Sequence, residues 1–174
     1  MMSVRLQKFL RFLPDAVAAM GRSKDRSTRV GGMKWDKRFM EMADLVSSWS
    51  KDPSTRVGCV IVDNRRRVIS VGFNGPPSKT IDAEYTRDVR LRRSIHAEAN
   101  ALHFANSDVY GCTAYITHPP CANCAAHLIQ RGIARIVAKA AANDFESRWA
   151  EDIKESETMC KESGVILKRV EDFI

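Results

Sequence analysis

Two hydrophobic periods alternate along the chain from residue 36 onward. Phe39, Met40, Ala43, Val46 and Trp49 fall on one face of a 3.6-residue helix that Asp36 can cap and that ends near Ser50. Asp52-Pro53-Ser54 reads as a turn, and residues 57–62 form the nearly continuous apolar run of a buried strand. Asp63-Asn64-Arg65 predicts a hairpin turn into a second strand over 68–73. Asn74-Gly75-Pro76-Pro77 then breaks the sheet, and a polar segment runs to about Ser94. After it come a helix over 96–105, a strand over 114–117, a helix over 121–131 and a strand over 133–138. A long helix over 146–163, stopped by Gly164, leads to a last strand over 165–170. This alternation predicts an α/β domain: a three-layer α/β/α arrangement with a mixed five-stranded sheet covered on both faces.

The first 32 residues follow a different pattern. Leu6, Phe9, Leu10, Leu13, Val17 and Met20 recur at helical spacing, but Pro14 limits this to a short helix and a turn. The division expected is therefore a basic extension, 1–32, ahead of a domain over 33–174. An Arg-rich, acid-poor amphipathic start is also how a transit peptide reads; an upstream start codon or a surface helix are the plainer alternatives. Residues 23–32 match residues 50–59 at eight of ten positions. One short duplication is no repeat architecture, and only the second copy leads into an apolar strand.

Charge and cysteine content narrow the function classes. The net charge is +7, yet residues 39–174 carry eighteen acidic and eighteen basic residues, so the excess lies wholly in residues 1–38. A nucleic-acid footprint would place its cations on the chemical domain. No apolar run approaches the roughly 20 residues that span a bilayer. Five cysteines with no secretory signal argue against a disulfide framework and for a reducing, cytoplasmic setting.

Two segments carry the chemistry: His96-Ala97-Glu98, opening one helix, and Pro120-Cys121-Ala122-Asn123-Cys124, opening the next. Cysteines three apart on a first turn face the same side, and a helix N-terminus favours the thiolate that binds metal. Side chains two apart in a regular helix diverge, so His96 and Glu98 can share a site only if their motif straddles the helix start. Two facing helix starts would then aim an imidazole, two thiolates and a carboxylate at one point. Three ligands and an open fourth position make a catalytic zinc site; four make a closed structural one. Cys112, His118, His127 and His103 are the candidate fourth ligands, with His118 nearest in sequence. A Cys-x-x-Cys pair taken alone is equally a redox pair. Cys59 and Cys160 read as core, and Trp35, Trp49 and Trp149 as packing.

The joint order H-x-E…P-C-x-x-C resembles the signature of zinc deaminases. With Trp49-Ser-Lys-Asp-Pro-Ser-Thr-Arg-Val-Gly58, Gly72-Phe-Asn-Gly-Pro76, His96-Ala-Glu-Ala-Asn-Ala-Leu102 and Tyr115-Ile-Thr-His-Pro-Pro-Cys-Ala-Asn-Cys124, residues 34–172 are similar to the deoxycytidylate (dCMP) deaminase family of the cytidine-deaminase superfamily. The resemblance implies hydrolytic deamination of dCMP to dUMP, with hydroxide attacking C4. One zinc per chain would sit on His96, Cys121 and Cys124, with Glu98 as the catalytic proton shuttle. It further implies substrate contacts from Asn74, from Ser50 and Lys51 near the 5′-phosphate, and from Ala97. Arg87 is a candidate phosphate or effector contact in a mobile, charged loop. A homo-oligomer, a hexamer foremost, with dCTP and dTTP as effectors and Mg²⁺ accompanying them, completes the expectation. Some viral members bind a second zinc between the Asn-Gly turn and His-x-Glu; residues 75–95 contain neither Cys nor His. The competing readings are a nucleic-acid deaminase, acting on tRNA adenosine or single-stranded DNA cytosine, and a non-catalytic, zinc-stabilised binding module.

Overall fold

A computed structural model describes residues 30–81, 85–140 and 147–171. The chain divides into two units, residues 1–34 and 35–174, and the architecture belongs to the second. The amphipathic start and the first copy of the duplicated motif up to Arg29 lie outside the described residues.

The apolar periods become helix α1 (Val30–Ser47), the hairpin β1 (Gly58–Val62) and β2 (Val68–Phe73), and helices α2 (Arg87–Arg93) and α3 (Ala97–His103). They are followed by β3 (Thr113–Ile116), α4 (Ala122–Gln130), β4 (Arg135–Lys139), α5 (Ala150–Ser163) and β5 (Ile166–Val170). The strands form one mixed five-stranded sheet in the order β2-β1-β3-β4-β5. β1 is antiparallel to both its neighbours, while β3, β4 and β5 run parallel. Period-two alternation sorts β1 between two cores. Cys59 and Ile61 pack with Ala101, Leu102, Leu128 and Cys160 of α3, α4 and α5. Val60 and Val62 pack with Phe39, Met40, Ala43 and Val46 of α1. The three-layer α/β/α expectation is what the structure shows.

Two glycines set how closely helices approach the sheet. A Cβ on Gly58 would overlap Ala43 O of α1, and one on Gly72 would overlap Ala97 O and Ala101 N of α3. Gly164 ends α5 at φ 75°, the left-handed stop its position predicted.

Two local expectations are corrected. Asp36 is not a cap, because α1 already begins at Val30; it is a buried interior residue. Its carboxylate accepts a bidentate bond from Arg135 (2.9 and 2.7 Å), plus bonds from Tyr115 Oη (3.0 Å) and Lys168 Nζ (3.1 Å). Burial works to raise its pKa, but the bonds and charge of Arg135, with Lys168 and Tyr115, outweigh it and hold the carboxyl below its ordinary range. The charged segment before His96 contains α2, where an irregular loop is expected; Asp82 and Glu84 lie outside the described residues. Trp49, half exposed, packs edge-on against Phe73. Among the described residues no helix is long and apolar enough to cross a membrane.

Candidate active site

Both motifs straddle a helix start. His96 precedes α3 with extended backbone (φ −70°, ψ 156°), and Cys121 precedes α4 in nearly the same conformation (φ −71°, ψ 166°). Each extended residue turns its side chain out of the helical course that its successor begins. His96 and Glu98 can therefore converge although they are two apart.

The imidazole Nδ1 of His96 lies 3.5 Å from Cys121 Sγ and 3.4 Å from Cys124 Sγ. All three donor atoms fall within 4.8 Å of one another. A tetrahedral zinc with Zn–N near 2.05 Å and Zn–S near 2.3 Å requires N···S edges of about 3.6 Å. The spacing fits, and two thiolates with one imidazole are a zinc donor set. Among the described residues the group has three members, which leaves a fourth position for water. Cys112 is core, and neither His103, His118 nor His127 joins the group.

The thiols are electrostatically unequal before a cation enters. A hydrogen bond from Cys124, then His96, brings Cys121 down to about 4 despite burial. Cys124 is pushed up because its proton serves that bond and because it is buried. The pair titrates as a unit, and a divalent cation held by these residues would stand in for the shared proton. The hydrogen bond with Cys121 also raises the His96 pKa against the opposing effect of burial.

Glu98, 4% exposed, lies on the first turn of α3. Burial pushes its carboxyl above the ordinary carboxylate range, against opposing pulls from its own backbone N–H and the His96 charge. With His96, Ala97 and Cys121 it lines a cavity of about 120 Å³. Further round the wall are Thr55, Val57, Asn74, His118 and Pro119, and, from the α2 and α5 sides, Arg87, Arg90, Arg148 and Trp149.

The expected substrate residues separate into two groups. Asn74, Ala97 and Arg87 reach the cavity wall, whereas Ser50 and Lys51 are not among its lining residues. Ser50 is buried, and its hydroxyl donates to the Asn74 carbonyl at 2.8 Å. Asn74 in turn ties down the loop before β1: Nδ2 donates to Thr55 O (2.9 Å), and Oδ1 accepts from Val57 N–H (2.8 Å). These bonds use one of two amide hydrogens and one of two lone pairs.

Sequence reasoning missed Asp152, and it read His118 as a candidate fourth ligand and Trp149 as packing. Asp152 of α5 accepts a bond from Ala122 N–H at 3.4 Å, capping α4 beside Cys121; it is thirty residues away in sequence and has no local signal. His118 lines the cavity with Nδ1 3.3 Å from the Thr117 hydroxyl, and burial lowers its pKa. Trp149 lies on the cavity wall rather than in the core.

The family profile described as the cytidine and deoxycytidylate deaminase zinc-binding region matches residues 33–140. An uncharacterized deaminase in the luxG 3′ region of Aliivibrio fischeri is 48% identical over 134 residues, covering 76% of this chain and 90% of that one. Human deoxycytidylate deaminase is 36% identical over 114 residues, 60% of this chain and 64% of the human protein. The crystal structure of dCMP deaminase from the cyanophage S-TIM5, in complex with dCMP and dUMP, superposes with a TM-score of 0.65. That match covers 79% of this chain and 97% of the phage protein at 22% identity, a likeness of fold. With the profile matched across both motifs and a relative this similar along most of its length, the chain belongs to the cytidine and deoxycytidylate deaminase family.

Proposed function

We propose that this protein hydrolytically deaminates dCMP to dUMP, with one zinc per chain held by His96, Cys121 and Cys124. The observation that carries the reading is the placement of a buried carboxylate, Glu98, beside a three-donor metal group at the wall of one cavity. Zinc, when bound, supplies the Lewis acidity that makes water nucleophilic near neutral pH. Glu98 takes a proton from the attacking water and gives it to the ring nitrogen N3 as the new bond forms at C4. It then passes the second proton to departing ammonia, leaving the C4 carbonyl. A carboxyl held above its ordinary range by burial is suited to receiving and releasing protons in turn.

Ala97 and Asn74 orient the base and sugar. The Ala97 amide is among the first of α3, which lack intrahelical acceptors, and Asn74 keeps one hydrogen and one lone pair available beyond its loop bonds. Similarity to the human and phage enzymes supports dCMP over other amino-bearing bases. The motif resemblance set out from the sequence is the ground for extending the proposal to dCTP and dTTP effectors with Mg²⁺ and to a hexamer, and five free cysteines support a cytoplasmic setting. The direct test is loss of cytosine absorbance with dCMP, deoxycytidine and dCTP in parallel. Turnover of dCMP with release of ammonia is expected; inertness toward all three with zinc bound would overturn the reading.

A further inference from the structure

His96 and Cys121 stand at the position from which a side chain ordinarily caps a helix, and neither makes a capping bond. Both contribute to the metal group instead, so the first amides of α3 and α4 need acceptors from elsewhere. Helix α3 carries its own acid, Glu98, in its first turn, whereas α4 has none. The missing carboxylate comes from α5: Asp152 Oδ1 accepts Ala122 N–H, the first amide of α4, at 3.4 Å. That bond is long, but the turn that carries Asp152 is seated against the site. Trp149 and Ile153 stand on either side of it in sequence and line the cavity, and Ile153 is buried. Farther along, Cys160 of α5 and Leu128 of α4 share one core. Packing therefore places Asp152 at the start of α4.

Charge gives Asp152 a second effect. Each helix start points a partial positive charge at the donors, which favours the thiolates but opposes a divalent cation between them. Glu98 offsets this for α3, and Asp152 stands where it offsets it for α4. Its charge also reaches His96: beyond the bond with Cys121, and against burial, the charges of Glu98, Cys121 and Asp152 all raise the imidazole pKa. We infer that Asp152 is a positioning residue of the metal centre, holding the start of α4, and with it Cys121, in the geometry that grips zinc while supplying negative charge that favours the cation. Asp152 is not a member of the donor group, so it acts through Cys121 and His96 rather than on the metal. The inference rests on the zinc reading of the site. Partners that orient metal ligands from outside typically contribute 10- to 100-fold in metal affinity.

The test is the zinc affinity of the full chain, measured by competition with a chromogenic chelator, beside urea denaturation of the zinc-loaded and zinc-stripped forms. Asp152→Asn keeps an oxygen that can accept the Ala122 amide but removes the charge, Asp152→Ala removes both, and Asp152→Glu keeps the charge on a longer stem. The zinc Kd is expected to rise by about 10-fold in Asp152→Asn and by about 10- to 100-fold in Asp152→Ala, with Asp152→Glu recovering part of the loss. A 10-fold weaker Kd removes about 1.4 kcal/mol of the stabilisation that excess zinc confers. The gap between zinc-loaded and zinc-stripped forms should therefore narrow by that amount in Asp152→Asn, whereas a residue that merely caps α4 would lower both forms together. Wild-type zinc affinity in both Asp152→Asn and Asp152→Ala, or a loss of stability that is equal with and without zinc, would overturn the inference alone. A wild-type chain that holds no zinc would sink the zinc reading and the inference with it. Turnover enters none of these readouts, so the expected loss of zinc in a chain that deaminates nothing would uphold the inference and sink the dCMP reading alone.

Discussion

Gly72→Ala should damage the active site from the far side of α3. A Cβ on Gly72 would stand 2.9 Å from Ala101 Cα while overlapping Ala97 O and Ala101 N. Unstrained carbon contacts lie at about 3.5–4.0 Å, so α3 must retreat from β2 by roughly 0.6–1 Å, and the colliding atoms are backbone with no rotamer to yield. Overpacking of this kind costs about 1–3 kcal/mol. The retreating helix carries Glu98 on its first turn and His96 at its start. A displacement near 1 Å of reacting groups lowers turnover by about 100-fold. Urea denaturation and dCMP turnover measured on the same preparation test both numbers. Wild-type midpoint and wild-type kcat in Gly72→Ala would refute the claim that direct helix-on-backbone contact positions the site.

The Asp36 network makes a stability prediction with a pH signature. Asp36→Asn leaves the Arg135 guanidinium, 13% exposed, without its anion, and should cost about 3 kcal/mol, the low end for breaking a buried pair because Lys168 is 38% exposed. Because the native pKa of Asp36 is lowered, its contribution is full above the unfolded value near 3.9 and is lost as pH falls through the native one. Wild type should therefore lose more stability than Asp36→Asn below about pH 4 in urea titrations, and parallel pH profiles would contradict this. Asn74→Ala removes both side-chain bonds to the loop before β1 and should cost about 1–3 kcal/mol while raising KM for dCMP; an unchanged KM would show that the loop is positioned without it. Stripping the metal with a chelator should abolish turnover and adding zinc should restore it, measured as dUMP formed against zinc bound.

What was legible in the sequence was what local pattern encodes. The apolar runs of β1 and β2, the stripe of α1 and Gly164 mark elements within a few residues, and the two motifs point to the three residues that the structure brings together as a candidate metal group, because their meaning lies in short spacing. Asp36 misled because an acid ahead of an apolar stripe has the form of a cap; its actual partner, Arg135, is 99 residues away on β4. The α2 segment Arg-Asp-Val-Arg-Leu-Arg-Arg has no apolar stripe to announce a helix, and the Gly75–Ile95 bridge that closes it is non-local. Ser50 and Lys51 looked like phosphate ligands by residue type, but a hydroxyl signals nothing about whether a backbone carbonyl, here that of Asn74, already takes its hydrogen. Asp152 and Trp149 reach the site through tertiary packing alone.

The central claim is that Glu98 moves the protons beside a zinc it does not bind. Wild type and Glu98→Gln should be compared for dCMP turnover and zinc content on the same samples. The account predicts one zinc per chain in both, with kcat falling by about 10²–10⁴-fold in the variant. Near-wild-type turnover in Glu98→Gln, or loss of zinc along with activity, would contradict it.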